Sequence, residues 1–444
     1  MTDRLTLDSV RAAFAGREPR AGGPGWLQDQ RRAAMAELDR RGMPTPRDED
    51  WKYTSLAPLF ATPLDLAANG AGGGLSEDAI APFLIGSASW TRLVFVDGRY
   101  VAKLSNVPSS SPARAGSLAE ALITDEETVR AHLAGSAHEG WHPFAALNTA
   151  FWDDGAFVHV PAGVGMSEPV QLVFVATGVP GARADHPRAL VVLDRLSHAT
   201  VIEHYVGLGG ATYLANAVTQ FVLGPGAILD HVKVLDEGSR AFHMGRLEAR
   251  LDRDSRLTSC ALTFGGRLAR LEIDVRLGGE GGECRLDGLA VQAGRQHVDT
   301  HTVVDHARPR AVSRQLFKGV LDGKARGVFS GRVIVRPGAN GTDAHQTNKN
   351  LLLSDGVEVD SKPQLEIFAD DVKCSHGAAD GQLADEALFY LKSRGLDEPA
   401  ARTLLTRGFA REVLDRIRLE AVRDWCERRL AAKLRDGRVM EETE

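Results

Sequence analysis

Between about residues 155 and 377 the chain is built of apolar bursts four to eight residues long. They are rich in Val, Leu and Ile, are closed by Gly, Asp or Pro, and leave no room for a helix of ordinary length. Such spacing excludes the alternating βα order of doubly wound sheets and leaves a sandwich, a barrel or a solenoid. An internal period discriminates among these. Ile202-Glu203-His204, Leu229-Asp230-His231, Leu257-Thr258-Ser259, Leu286-Asp287-Gly288 and Val312-Ser313-Arg314 each set an apolar residue before two polar or small ones, and their starts lie 27, 28, 29 and 26 residues apart. Stacked coils of a parallel β-helix give this repeat, because each coil buries its inward side chains only by lying on its neighbour. The competing architecture is a large antiparallel sandwich with evenly spaced hairpins.

The flanks read differently. Residues 1–150 form a mainly helical domain with a Gly-rich linker and short strands. Trp26, Leu27, Met35 and Leu38 recur at roughly helical spacing, and the run Asn69-Gly70-Ala71-Gly72-Gly73-Gly74 suits only a linker or mobile loop. Arg92-Leu93-Val94-Phe95-Val96 is a strand stopped by the turn dipeptide Asp97-Gly98, and a helical stretch lies near 117–150. Residues 151–377 form the β-helix core. Residues 378–444 form a helical domain, with Leu388, Leu391, Leu404, Leu405, Phe409, Val413, Leu414 and Ile417 at helical spacing, Gly395 as a stop and Asp397-Glu398-Pro399 as a cap. Its arginines (Arg402, Arg407, Arg411, Arg416, Arg418, Arg423, Arg428 and Arg429) form either a solvated face or a docking surface for an acidic partner.

The charge balance narrows the partners. With 53 Lys and Arg against 59 Asp and Glu, the formal charge is −6, and no bulk attraction to nucleic acid or anionic lipid is expected. No run of eighteen apolar residues offers a membrane span, and the first twenty residues lack the apolar core of a secretion signal, so a cytoplasmic location is expected. Cys260, Cys284, Cys374 and Cys426 lie at least 24 positions apart and contain no C-x-x-C pair, which argues against a disulfide framework or a local zinc knuckle.

Familiar catalytic signatures are missing. Gly319-Val320-Leu321-Asp322-Gly323-Lys324-Ala325 has three residues between its glycines where a phosphate loop has four, and Ala where a hydroxyl must reach magnesium. Two histidine-bearing segments remain. In the first, strand alternation puts His297, Asp299 and His301 on one face, which suits either a transition metal or ordinary hydrogen bonding within the stack. In the second, Glu366 to Gly377, alternation puts Val372, Cys374 and His376 on one face, with the Cys and His α-carbons roughly 7 Å apart. A thiol and an imidazole suit iron or zinc, but two donors do not close a site. The rest would come from elsewhere in the fold or from another subunit. A packed cysteine beside a surface histidine, or a cysteine–histidine nucleophile, are the other readings. Asp370 and Asp371 face opposite sides, a poor acid–base couple for a β-helical carbohydrate-active enzyme.

The stretches Thr342–Ser354 and Lys362–Gly377 resemble the SufB/SufD family of iron–sulfur cluster assembly proteins. So do Glu49-Asp50-Trp51-Lys52-Tyr53-Thr54, Asp154–Pro161 and Leu388–Gly395. The cysteine-rich N-terminal region often seen in SufB is absent, which puts the resemblance on the other side of the family. The resemblance implies a mainly β chain, a right-handed parallel β-helix flanked by N-terminal and C-terminal α-helical domains. It implies a non-catalytic scaffold that pairs with SufB through the β-helix and holds the ATPase SufC through its C-terminal helices. Arg402, Leu405 and Phe409 are the candidate SufC contacts, and nucleotide belongs to SufC. It also implies a transient cluster or iron shared with SufB, with His376 at the junction and Cys374 as a weaker ligand candidate. A homodimer is compatible with it when the chain is expressed alone. Deleting residues beyond 385 is expected to lose SufC while leaving the β-helix folded. The alternatives are a β-helical carbohydrate-active enzyme and a stand-alone metal-binding protein.

Overall fold

From Gly155 onward the chain lays successive strands alternately into two sheets, so each strand pairs with the ones two before and two after it. One sheet runs from Thr91–Val96 through Val170–Ala176, His198–Gly207, Ile228–Asp236, Arg256–Thr263, Glu283–Gln292, Val312–Leu321 and Thr342–Leu352 to Val372–Gly381. The other runs from Gly155–Val160 through Arg188–Leu193, Tyr213–Leu223, Phe242–Leu251, Leu268–Leu277, His297–His306 and Arg326–Val335 to Glu358–Ile367. Every pairing along these two paths is parallel. The architecture is therefore a parallel β-helix, and the antiparallel sandwich is excluded. This computed structural model describes residues 3–17, 23–66, 74–133, 142–178, 182–435 and 438–440. Of the expected Gly-rich linker, all but Gly74 lies outside the described residues.

The period is real but its register differs from the one expected. One true inward column is Ala199, Leu229, Leu257, Cys284, Ser313, Ala344 and Cys374, spaced 30, 28, 27, 29, 31 and 30 residues apart. Of the sequence triplets, only those starting at Leu229 and Leu257 fall on it. Ile202 pairs instead with Val232, Leu286 with Ser259, and Val312 with Glu283. Turns of unequal length absorb the difference, so an apolar triplet drifts along the strand while the coil count holds. Strands of about ten residues also replace the expected bursts of four to eight, because polar residues within them stay in the ladder.

Some of those polar residues are paired inside the core. Lys233 Nζ and Tyr205 Oη each donate to Glu203 Oε2 at 3.1 Å. Burial alone would raise the Glu203 carboxyl, but Lys233 and His231 outweigh it and hold the group below the usual carboxylate range. Around this knot the interior is apolar, with Phe95, Phe174 and Tyr205 stacked at centroid distances of 5.0 and 4.7 Å, the spacing of neighbouring strands.

Each sheet wears helices on its outer face. The helices Leu7–Ala15, Gly25–Arg41 and Pro143–Phe151 cover Leu214, Phe242, Met244 and Leu268 of the second sheet. On the first sheet, Glu398–Leu414 and Glu420–Lys433 bury Val413, Leu414, Val422, Cys426 and Leu430 against Ile202, Val232, Val234, Leu262, Phe264, Leu289, Val291 and Leu316. Arg416 and Arg429 pair with Asp287 and Asp236 of that sheet at 2.7 and 2.5 Å. Deletion beyond residue 385 would bare this face. At about 1.5–3 kcal/mol per buried aliphatic or aromatic side chain, the loss matches or exceeds the whole stability of an ordinary domain, about 5–15 kcal/mol. The expectation that the β-helix survives that deletion is corrected accordingly.

Candidate functional site at the open end of the β-helix

The coil that ends the β-helix is unfinished. Among the described residues, Glu358–Ile367 and Val372–Gly381 are the terminal strands of their sheets and have a neighbour on one side only. Val372, Cys374, His376, Ala378 and Asp380 point inward, yet each is partly or fully exposed. Their register partners one coil back, Thr342, Ala344, Gln346, Asn348 and Asn350, are all buried, at 1, 0, 1, 3 and 8% exposure. The same holds opposite, where Val359, Ser361 and Leu365 are half-exposed and Ile367 and Phe368 are exposed. Two ten-residue edges therefore present free backbone N–H and C=O groups beside an uncovered section of core, the arrangement that natural sheets otherwise guard against.

Cys374 and His376 share this mouth, as strand alternation predicts. Cys374 packs against the cluster of Val333, Val335, Ala339 and Ala344, and burial pushes its thiol up from the ordinary value, so the sulfur is not poised as a thiolate. His376 stands two residues further along, exposed at the rim. Asp380 was missed by the sequence reading, although the same period of two reaches it; its carboxylate accepts from Asn350 Nδ2 at 2.8 Å. On the outward face of the same edge, His345 contacts Ser375 Oγ at 2.5 Å and Asp343 Oδ1 at 2.9 Å.

The His297, Asp299 and His301 face is occupied by a guanidinium. Asp299 is fully buried and paired with Arg270, accepts from Thr54 Oγ1 at 2.6 Å, and lies 2.9 Å from His301 Nε2. Arg270 in turn lies 3.8 Å from the ring centre of Trp51. The motif Glu49 to Thr54 thus clips the N-terminal segment onto the β-helix, and a cation already fills the place a metal would take. His306 faces the other way, inward, and meets Ser313 Oγ at 2.9 Å. Among the described residues, no group of three or more His, Cys, Asp or Glu side chains is placed to hold a metal. Of the two readings of this face, the structure shows the one of bonding within the fold, in the form of an ion-pair clip.

That clip carries a pH signature. Burial raises the Asp299 carboxyl, but Arg270 outweighs burial and holds it below the usual range. A depressed carboxyl stabilises the fold above its unfolded value of about 3.9, and the contribution is lost as pH falls through the folded value. Asp299→Asn is expected to cost about 3 kcal/mol near neutrality, the scale for breaking a buried pair, and progressively less below about pH 4. Urea denaturation of both proteins across that range checks it.

The C-terminal candidates turn mostly inward. Arg402 Nη2 reaches the Leu353 carbonyl at 3.4 Å, Leu405 is half-buried, and Lys318 sits 4.1 Å from the Phe409 ring centre while donating to the Phe409 carbonyl at 2.8 Å. Arg411, Arg418 and Arg423 also meet acceptors of this chain. Arg407 and Arg428 face solvent, as do the large apolar side chains Phe389, Tyr390 and Leu404, at 75, 56 and 51% exposure, and the helix Asp385–Ser393 buries no residue. The sequence signal was Leu388-Phe389-Tyr390-Leu391, four apolar residues in a row where one helical stripe can bury about two.

Residues 174–409 match the family model described as SUF system FeS cluster assembly, SufBD core domain, and residues 21–172 match the SufBD protein N-terminal region. The chain belongs to the SufBD family. Among SufBD relatives, the iron–sulfur cluster assembly protein SufD of Escherichia coli is 33% identical over 410 residues, 91% of this chain and 92% of its own. A SufBD family protein of Synechocystis is 33% identical over 406 residues, 89% of this chain and 88% of its own. ABCI7 of Arabidopsis thaliana, a chloroplastic protein, is 28% identical over 407 residues, covering 90 and 84%. As a SufBD member the chain is an iron–sulfur cluster assembly protein of the SUF system. No helix among the described residues is long and apolar enough to cross a membrane.

Proposed function

We propose that this chain is a non-catalytic scaffold subunit whose open coil is completed by SufB, so that His376 offers its imidazole to iron at the junction during cluster assembly. One observation carries the reading: the inward column Val372, Cys374, His376, Ala378 and Asp380 is uncovered although every partner one coil back is buried. A partner that covers it must supply a strand to each of two edges at once, which another β-helix of the same family does. The remaining donors for an iron held by His376 then come from that partner. Cys374 serves chiefly as packing at the rim, since burial keeps its thiol protonated. Iron and sulfide are cargo passing through the junction.

The ATPase SufC is assigned to the outer surface of the C-terminal helices. Arg402, Leu405 and Phe409 contribute there by holding the helix on the β-helix, while Phe389, Tyr390 and Leu404 supply the exposed contact. Co-expression with SufB and SufC is expected to give one assembly containing all three, read by native mass measurement. The triple variant Phe389→Ala, Tyr390→Ala, Leu404→Ala is expected to lose SufC from it while the SufB pairing and the melting temperature stay unchanged. SufC retained at full occupancy would remove the assignment.

A further inference from the structure

The helices on the second sheet cover the starts of its strands, at Leu214, Phe242, Met244 and Leu268, and leave the ends open. There the outward side chains line a groove of about 720 Å³ that crosses five strands. In register across them stand Val222, Arg250, Arg276, Asp305 and Ile334, with Asp274, Val303 and Arg332 in the row two residues earlier. The charges of this groove do not balance. Asp274 is taken by Arg246 at 2.5 Å and Asp305 by Arg336 at 2.9 Å. Arg276 is exposed and meets no acceptor among the described residues, and Arg332 stands 3.7 Å from the Glu366 carboxylate, beyond hydrogen-bond reach. Arg250 and Arg276 also face each other in register, a like-charge pair that an anion set between them would relieve.

Two features decide the class of anion. None of the described residues lining the groove is aromatic, so nucleobases would find no stacking platform, and Asp274 and Asp305 oppose a continuous row of phosphates. Between the arginines the floor is aliphatic, made by Val222, Val303 and Ile334. We propose that the groove docks an extended acidic segment of a partner polypeptide, with carboxylates on Arg276 and Arg332 and apolar side chains on Val303 and Ile334. The spacing fits. Two strand separations and two residues of rise put the Arg276 and Arg332 α-carbons about 12 Å apart, close to the roughly 13 Å between side chains i and i+4 of an extended chain. Guanidinium groups suit this task because each can hold a carboxylate through two parallel hydrogen bonds. With a formal charge of −6 on the whole chain, the attraction is local to this face.

Fluorescence anisotropy of a short labelled peptide with the repeat Glu-Glu-Val-Val, titrated with the full chain, tests this. Saturable binding is expected at low ionic strength and weakens as salt screens the exposed arginines. Arg276→Glu and Arg332→Glu are each expected to lower the affinity about tenfold or more while the melting temperature stays unchanged, since both side chains are exposed. Arg407→Glu, an equal change of charge on the C-terminal helices, is expected to leave binding as it was. A Glu-Glu-Ser-Ser peptide of the same charge is expected to bind about tenfold more weakly, because it forgoes the aliphatic floor. Absence of saturable binding, an equal loss in Arg407→Glu, or equal affinity for the two peptides overturns the proposal. So does tighter binding of a single-stranded oligonucleotide of matching charge, which would make the groove a nucleic-acid site.

Discussion

His376→Ala is expected to leave the chain folded and the assembly intact while abolishing cluster formation on the co-expressed complex. The imidazole is exposed at the rim and makes no hydrogen bond to another of the described residues, so its removal falls within the range of surface substitutions, about 0.5 kcal/mol either way. What is lost, on the proposed reading, is a donor that two-residue spacing from Cys374 sets at the rim of the unfinished coil. Iron and sulfide content of the purified complex, beside the melting temperature of the variant chain, checks both halves. A variant complex with full iron and sulfide would remove His376 from the chemistry, and a complex that falls apart would make the residue a docking contact.

The second large effect is expected at the apolar rim. Ile367 and Phe368 are 40 and 59% exposed, next to the edge strand Glu358–Ile367 and continuous with the uncovered core section. Ile367→Asp together with Phe368→Asp would carry two carboxylates into any surface that covers the mouth. Loss of a well-packed apolar anchor costs about 2 kcal/mol each, so affinity for SufB is expected to fall at least about a hundredfold. Chain that self-associates when expressed alone is expected to become monomeric in the same variant, because a second copy would cover the same edges. Sedimentation of the chain alone and titration with SufB measure the two. Unchanged affinity would place the partner elsewhere on the molecule.

How far the sequence carried these conclusions differs from element to element. The turn at Asp97-Gly98 was legible because both residues must adopt left-handed backbone, with φ of +50° and +75°, and an Asp-Gly pair does so at little cost. The cap at Asp397 was legible for a similar local reason, its side chain accepting from the Ala400 N–H at 2.8 Å. The coil repeat was legible as a count but not as a register, since Ile202, Leu286 and Val312 are apolar for different reasons: Ile202 packs outward under the C-terminal helices, whereas Leu286 packs into the interior.

Cys374 and His376 could be placed on one face by strand alternation alone. Their setting at an uncovered end could not, because exposure of an inward column depends on the absence of a following coil. The His297, Asp299 and His301 face stayed open between a metal and bonding within the stack because its decisive partners, Arg270 and Thr54, lie 29 and 245 residues from Asp299 in sequence. At the C-terminal helices the contacts that hold the candidate residues were likewise invisible in the sequence. Phe409 belongs to the apolar stripe and Arg402 to the arginine face, and only the fold shows that Lys318 and the Leu353 carbonyl hold them to the β-helix while a neighbouring helix exposes apolar surface.

Amide hydrogen exchange of the chain with and without SufB tests the central claim most directly. Slowed exchange concentrated in Glu358–Ile367 and Val372–Gly381 is the predicted result, since both edges acquire strand partners when the open coil is completed. Unchanged exchange in those two strands, with protection appearing on another surface of the molecule, would contradict it.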